Sequence, residues 1–185
     1  MLETQPPSGT KAVPQFSEQR MNGGARLAVF KLGGAMCAVA LDTVREITLM
    51  ARLSNPGGLP SLLAGFLNLG QRAIPIIRLH RLLGVGEPVH GLYTQILIFH
   101  ESHGLSTGWI VDRVTQIIAA PRADIMPVPE NQCFKDCAAG TFSLNDANVT
   151  ILCPDRVLLE KERQSIREFA ETEQARLREL DVSKS

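Results

Sequence analysis

The feature that most constrains this chain is a change of rhythm at Pro154. From Arg26 onward the sequence runs in short apolar stretches cut by Gly, Pro, Asn and Asp; after Pro154 the apolar residues recur at helical spacing. Short runs bounded by turn residues read as the strands of an all-β domain, whereas a recurrence every three to four residues reads as an amphipathic helix. With 185 residues, the chain has room for one medium domain or two small lobes that share a core.

Leu27-Ala28-Val29-Phe30-Lys31-Leu32 stops at Gly33-Gly34 and the apolar pattern resumes at Met36, which predicts a first hairpin. Further strands are expected over 44–49, 72–79, 95–99, 108–111, 114–119, 138–144 and 149–153, with a single helical turn at 61–64. Alternation over 72–79 sets Ala73, Pro75, Ile77 and Leu79 against Arg72, Ile74, Ile76 and Arg78. Pro75 has no N–H, so that strand or that position is expected at a sheet edge. Residues 95–99 are apolar on both faces and predict a central strand. The segment 121–131 reads as a loop.

Residues 1–24 are rich in Pro, Gly, Ser, Gln and Thr without a period, and read as a disordered tail rather than a signal peptide. The β domain is expected over 25–160. A single amphipathic helix, capped by Asp155, is expected over 155–182. Its stripe is Leu159, Ile166, Phe169, Ala170, Leu177 and Leu180, and Glu160/Arg163 and Glu173/Arg176 stand three apart on its polar face. Such a stripe needs a surface to cover.

Acidic and basic residues balance at 19 each, with no Lys/Arg cluster, so the phosphate neutralisation that drives nucleic-acid binding has no source. Membrane insertion is not expected either. The longest uncharged stretch, 53–71, is broken by Pro56, Gly57, Gly58 and Pro60, whereas a spanning helix needs about 20 apolar residues. The expected location is cytoplasmic, with Cys37, Cys133, Cys137 and Cys153 as free thiols.

Catalytic chemistry finds little support. Gly104-Leu105-Ser106-Thr107-Gly108 matches G-x-S-x-G, but a nucleophile elbow needs a helix after the serine and a histidine downstream. Here a strand follows, and His80, His90, His100 and His103 all precede Ser106. A small β-barrel hydrolase using Ser106 is therefore a remote alternative. Cys133/Cys137 and His100/His103 lack the paired spacings of zinc sites. No cofactor, metal or small-molecule substrate is expected.

The order of the pieces resembles the CheW family of chemotaxis coupling proteins. The resemblance rests on Val44-Arg45-Glu46-Ile47, Gly65-Phe66-Leu67-Asn68-Leu69 and Ala73-Ile74-Pro75-Ile76-Ile77-Arg78-Leu79. It continues in Gly108-Trp109-Ile110-Val111-Asp112-Arg113-Val114 and Ile125-Met126-Pro127-Val128-Pro129. It spans about 26–160. It implies two intertwined, five-stranded, SH3-like β-barrels with a groove between them, followed by the long C-terminal helix. It also implies a non-enzymatic adaptor at membrane-bound receptor arrays, binding the regulatory domain of a CheA-type histidine kinase and the cytoplasmic tip of chemoreceptors. A module of the same fold that sequesters kinase or receptor, or one serving a non-motility chemosensory pathway, is the alternative.

Carried over by position, the resemblance assigns partner contacts to Val44, Glu46 and Ile47, and to Asn68 and Leu69 at the start of an N-L-R-G motif. The chain then departs from the family: Gly70 stands at the motif's Arg and Gln71 at its Gly. The resemblance implies that the motif's Arg pairs with the Glu matching Glu46; strand periodicity puts Arg72 on the face of position 70, so Arg72 is expected to take that Arg's place. Arg78 stands where the family has an acid, a local change of two charges, and Cys37 stands at an aromatic position; both suggest a particular receptor–kinase set. Val44, Ile47 and Val114 are the expected apolar contacts, with Gly108 permitting close approach.

Overall fold

A computed structural model describes residues 26–87, 91–119, 125–128 and 136–182. The 1–24 tail, His90 and Cys133 lie outside them. Ten strands occur in chain order: β1 (Arg26–Leu32), β2 (Ala35–Ala40), β3 (Val44–Leu49), β4 (Leu63–Leu69), β5 (Arg72–Ile77), β6 (Gln95–Phe99), β7 (Gly108–Val111), β8 (Arg113–Ala119), β9 (Ala138–Leu144) and β10 (Ala147–Leu152). The helices are α1 (Leu79–Leu83), α2 (Pro154–Val157) and α3 (Glu160–Val182). The helical turn expected at 61–64 is absent; β4 begins at Leu63 instead.

The strands form two five-stranded mixed sheets, in the orders β8-β1-β2-β10-β9 and β3-β6-β7-β5-β4. Each contains one parallel pair, β2 with β10 and β5 with β7. Sequence neighbours split between them: β7 joins the second sheet and β8 the first, with only Asp112 between. That residue ties the crossing down, donating its N–H to Lys31 O (3.0 Å) and accepting from Gly33 N on Oδ2 (2.9 Å).

The expected pair of closed SH3-like barrels is not what forms. Both sheets are open, with β8 and β9 at the ends of one and β3 and β4 at the ends of the other. Closure would need a ladder between end strands. Instead, short segments meet two of those edges: Ser54 bridges Phe66 on β4, and Met126 bridges Thr141 on β9. A bridging peptide satisfies an edge locally without curling the sheet onto itself.

Period-2 alternation explains the packing. Ala28, Phe30 and Leu32 of β1 enter a core shared with Leu97, Phe99, Trp109 and Val111 of the second sheet. The opposite faces bury separate clusters, one around Leu27, Val29 and Phe142, the other around Ile74, Ile76 and Ile96. Both faces of β5 are therefore covered, with Ile77 in the shared core and Ile74 and Ile76 behind. β5 is an inner strand. Its ladder to β7 spans only Ile76 and Ile77, so Pro75 sits just past its end, where no donor is required.

The C-terminal helix is interrupted. Pro154 opens α2, the chain breaks at Leu158–Leu159, and α3 restarts with the Glu162 carboxylate accepting from Leu159 N (2.8 Å), as in a capping box. Glu160–Arg163 (3.3 Å) and Glu173–Arg176 (3.2 Å) both pair. Ile166 is wholly buried, and Phe169 and Ala170 pack against the shared core. Leu159 and Leu180, at the ends of the stripe, are exposed.

Candidate partner-binding surface

The expected contact residues fall on separate parts of the second sheet and its neighbour. On β3, Val44 and Ile47 are half-buried against the shared core while Glu46 is exposed. An odd spacing would normally place 44 and 47 on opposite faces. The register shift between Val44 and Glu46 adds one residue and returns both to the core side. On β4, Asn68 is exposed and Leu69 half-buried. Strands β6, β7 and β5 lie between β3 and β4, so the two motifs occupy opposite edges of one sheet.

Arg72 does not meet Glu46. Its guanidinium pairs with Glu101 at 3.2 Å, with both side chains more than half exposed. The expectation that Arg72 replaces position 70 assumed a continuous strand. Gly70 instead has φ of 63° and, with Gln71, forms the two-residue turn between paired Leu69 and Arg72. Glycine at the first turn position suits a type II′ hairpin. The departure from the family motif therefore has a backbone role.

The other two departures are also structural. Arg78 donates through Nη1 to Ser61 O (3.1 Å) and to Leu63 O, fastening the loop into β4. Burial, then the neighbouring Arg81, lowers its pKa, with Glu87 opposing. Its charge is engaged by carbonyls rather than presented as a free surface base. Cys37 is fully buried in the shared core, where burial pushes its thiol up to about 12, with Cys137 adding to the shift.

Gly108 is buried and Val114 half-buried. A Cβ on Gly108 would stand 2.6 Å from Ile76 Cδ1 and 3.0 Å from Ile96 Cγ2, so its smallness serves packing within the sheet. Val114 packs at the shared core, and its N–H donates to Gln95 Oε1 (2.7 Å).

Sequence reasoning missed an apolar patch where β3 leaves the sheet. Leu49, Met50, Leu92 and Tyr93 are all exposed, Leu92 by 89% and Tyr93 by 72%. Met50 N donates to Thr94 O (2.8 Å) and Leu49 pairs with Gln95, which brings the two segments side by side. The signal was present in two apolar pairs, each at a strand boundary, Leu92-Tyr93 directly after Gly91.

Among the described residues no catalytic arrangement assembles around Ser106, whose hydroxyl donates to Phe99 O (2.9 Å) inside the β6–β7 connection. His103 has φ of 51° in the same connection, and His100 is exposed. Among the described residues no group of three His, Cys, Asp or Glu side chains is placed to hold a metal, and no helix is long and apolar enough to cross a membrane.

Comparison with known proteins agrees with this architecture. The family model for the CheW-like domain matches residues 26–162. The chain is 25% identical over 148 residues to a chemotaxis protein CheW of Rhizobium meliloti, covering 78% of this chain and 94% of that one. It is 26% identical over 130 residues to a chemotaxis protein CheW of Helicobacter pylori, covering 70% and 78% respectively. The crystal structure of scaffolding protein TtCheW from Thermoanaerobacter tengcongensis superposes with a TM-score of 0.66 at 23% identity, over 71% of this chain and 85% of that one. The chain thus belongs to the CheW-like domain family, the non-enzymatic adaptors of chemosensory signalling.

Proposed function

We propose that this chain bridges a CheA-type histidine kinase, held through its regulatory domain, and the cytoplasmic tips of chemoreceptors in a membrane-associated array. The observation that carries the reading is the β3 edge. Among the described residues strand β3 pairs with β6 on one side only, and its surface continues from Glu46 into exposed Leu49, Met50, Leu92 and Tyr93. An open strand edge offers backbone hydrogen bonds to a partner, and adjoining exposed aromatic and aliphatic groups supply desolvation energy. Val44 and Ile47 support that edge from beneath, while Asn68, Leu69 and Arg72 form a second contact region at the opposite edge.

The test is kinase autophosphorylation with receptor-containing membranes while this protein is titrated in. A receptor-dependent rise that falls on adding attractant supports coupling. Tyr93→Asp, at a solvent-exposed position, should leave the fold intact and weaken the effect about tenfold. Co-sedimentation without a rise would replace coupling by sequestration, and neither effect would end the adaptor reading for these partners.

A further inference from the structure

Helix α3 is held down in two different ways along its length. Its first half is anchored by burial, through Ile166, Phe169 and Ala170. Beyond Ala170 the anchoring is largely polar. Glu173 is buried, accepting a hydrogen bond from Ser54 Oγ and pairing with Arg176, while Leu177 is only half-buried. The next residue, Gln174, meets the free edge of β5, beyond the short ladder to β7. Its Oε1 accepts from Ala73 N (3.0 Å) and its Nε2 donates to Gln71 O. One side-chain amide thus engages the donor and acceptor that flank Arg72, as a neighbouring peptide group would.

We propose that α3 from Glu171 onward is a detachable cover over the β4–β5 hairpin, competing in cis with a partner helix that presents a carboxamide beside a carboxylate. The inference rests on the adaptor reading, since the hairpin carries Asn68, Leu69 and Arg72. Its physical basis is the contrast in anchoring. Polar groups released from a strand edge are rehydrated, so lifting the distal half costs far less than extracting Ile166. The Gln71 carbonyl and the Ala73 N–H then lose the Gln174 amide, and α3 itself defines the chemistry that engages them. While the cover is closed, partner affinity is reduced by the fraction of open molecules.

Three proteins test this: the full chain, a chain ending at Ala170, and Gln174→Ala. Amide exchange at Ala73 reports the cover, and affinity for a chemoreceptor cytoplasmic fragment reports the competition. Ala73 should be protected in the full chain and exchange faster in both variants. Affinity should rise about fivefold in Gln174→Ala and further on truncation. Faster exchange with unchanged or weaker binding would overturn the proposal, making the distal helix a structural cover or part of the interface. Gln174→Ala retains the test if the shortened chain does not fold. If the full chain and both variants bind neither the receptor fragment nor the kinase regulatory domain, the adaptor reading falls and takes this inference with it.

Discussion

The two sheets follow one plan and differ in how rigidly it is enforced. Each runs from an end strand (β8 or β3) to an antiparallel pair (β1-β2 or β6-β7), then through a parallel contact to a final hairpin (β10-β9 or β5-β4). The last strands, β4 and β9, even share the burial pattern of their seven residues. In both, the third residue is glycine and the fourth carries the single bridge to an outside segment, Phe66 to Ser54 and Thr141 to Met126. The neighbours of those glycines differ. A Cβ on Gly65 would meet Ser54 O at 2.5 Å, and Gly65 has φ of 145°; a Cβ on Gly140 would meet Ile125 Cγ2 at 2.6 Å and, more loosely, Met126 O at 3.1 Å. Equivalent positions are thus blocked most tightly by backbone in one sheet and by a side-chain methyl in the other, where the backbone oxygen stands further off.

The largest expected effect follows from that contrast. Gly65→Ala should destabilise the fold by about 3 kcal/mol, since neither the strained φ nor the carbonyl can yield cheaply. Gly140→Ala should cost less, about 1 kcal/mol, as Ile125 changes rotamer and the Met126 carbonyl gives slightly. Urea unfolding of the two variants measures the difference directly. Equal costs would mean that the bridging segment at Ser54 moves as freely as the one at Met126.

The sheets also differ in what they contribute to the shared core. The second supplies Leu97, Phe99, Trp109 and Val111; the first supplies, among others, the Cys37 thiol. Burial raises that thiol from its ordinary 9.0 to about 12, so the folded state favours the protonated form. Below pH 9 both states keep the proton and stability does not change with pH on its account. Between 9 and 12 the unfolded chain releases it and the folded chain does not, so stability falls as pH rises. The slope is at most about 1.4 kcal/mol per pH unit from this group. Burial shifts Cys137 and Cys153 in the same direction, so the diagnostic is the loss of part of the slope in Cys37→Ala between pH 9 and 10. An unchanged slope would assign the alkaline sensitivity elsewhere.

What the sequence disclosed follows the range of its signals. The first hairpin was legible because Gly33-Gly34 marks a turn directly between the strands it joins, whereas the turn at Gly70-Gln71 and the strand before it were not read. Sheet membership was not legible. The single residue Asp112 separates β7 from β8, and nothing local indicates that they diverge into different sheets. Barrel closure depended on end strands far apart in sequence, whose edges are met by Ser54 and Met126 instead. The inward turn of Val44 needed a bulge defined only by its pairing with β6. At the candidate site the family motifs located both sheet edges, whereas the Glu46–Arg72 pair failed because periodicity was carried through a turn. The break at Leu158–Leu159 escaped because the helix was started at Asp155, four residues before the apolar stripe begins at Leu159.

The smallest expected effect concerns the pair that did form. Arg72 and Glu101 join the β5 edge to the β6–β7 connection at 3.2 Å, but both are more than half exposed. Solvent screens such a pair and two long side chains must be ordered to make it, so their coupling should be under about 0.5 kcal/mol. A double-mutant cycle on Arg72→Ala and Glu101→Ala, read by urea unfolding, measures that coupling without assuming additivity. The same cycle read by receptor-fragment affinity separates two roles for Arg72. Little coupling in stability together with a binding loss confined to Arg72→Ala would make it a contact in its own right. Coupling well above 1 kcal/mol in stability would instead make the pair part of what holds the hairpin against its neighbour, and the two edges of the second sheet would then differ in rigidity as the two glycines do.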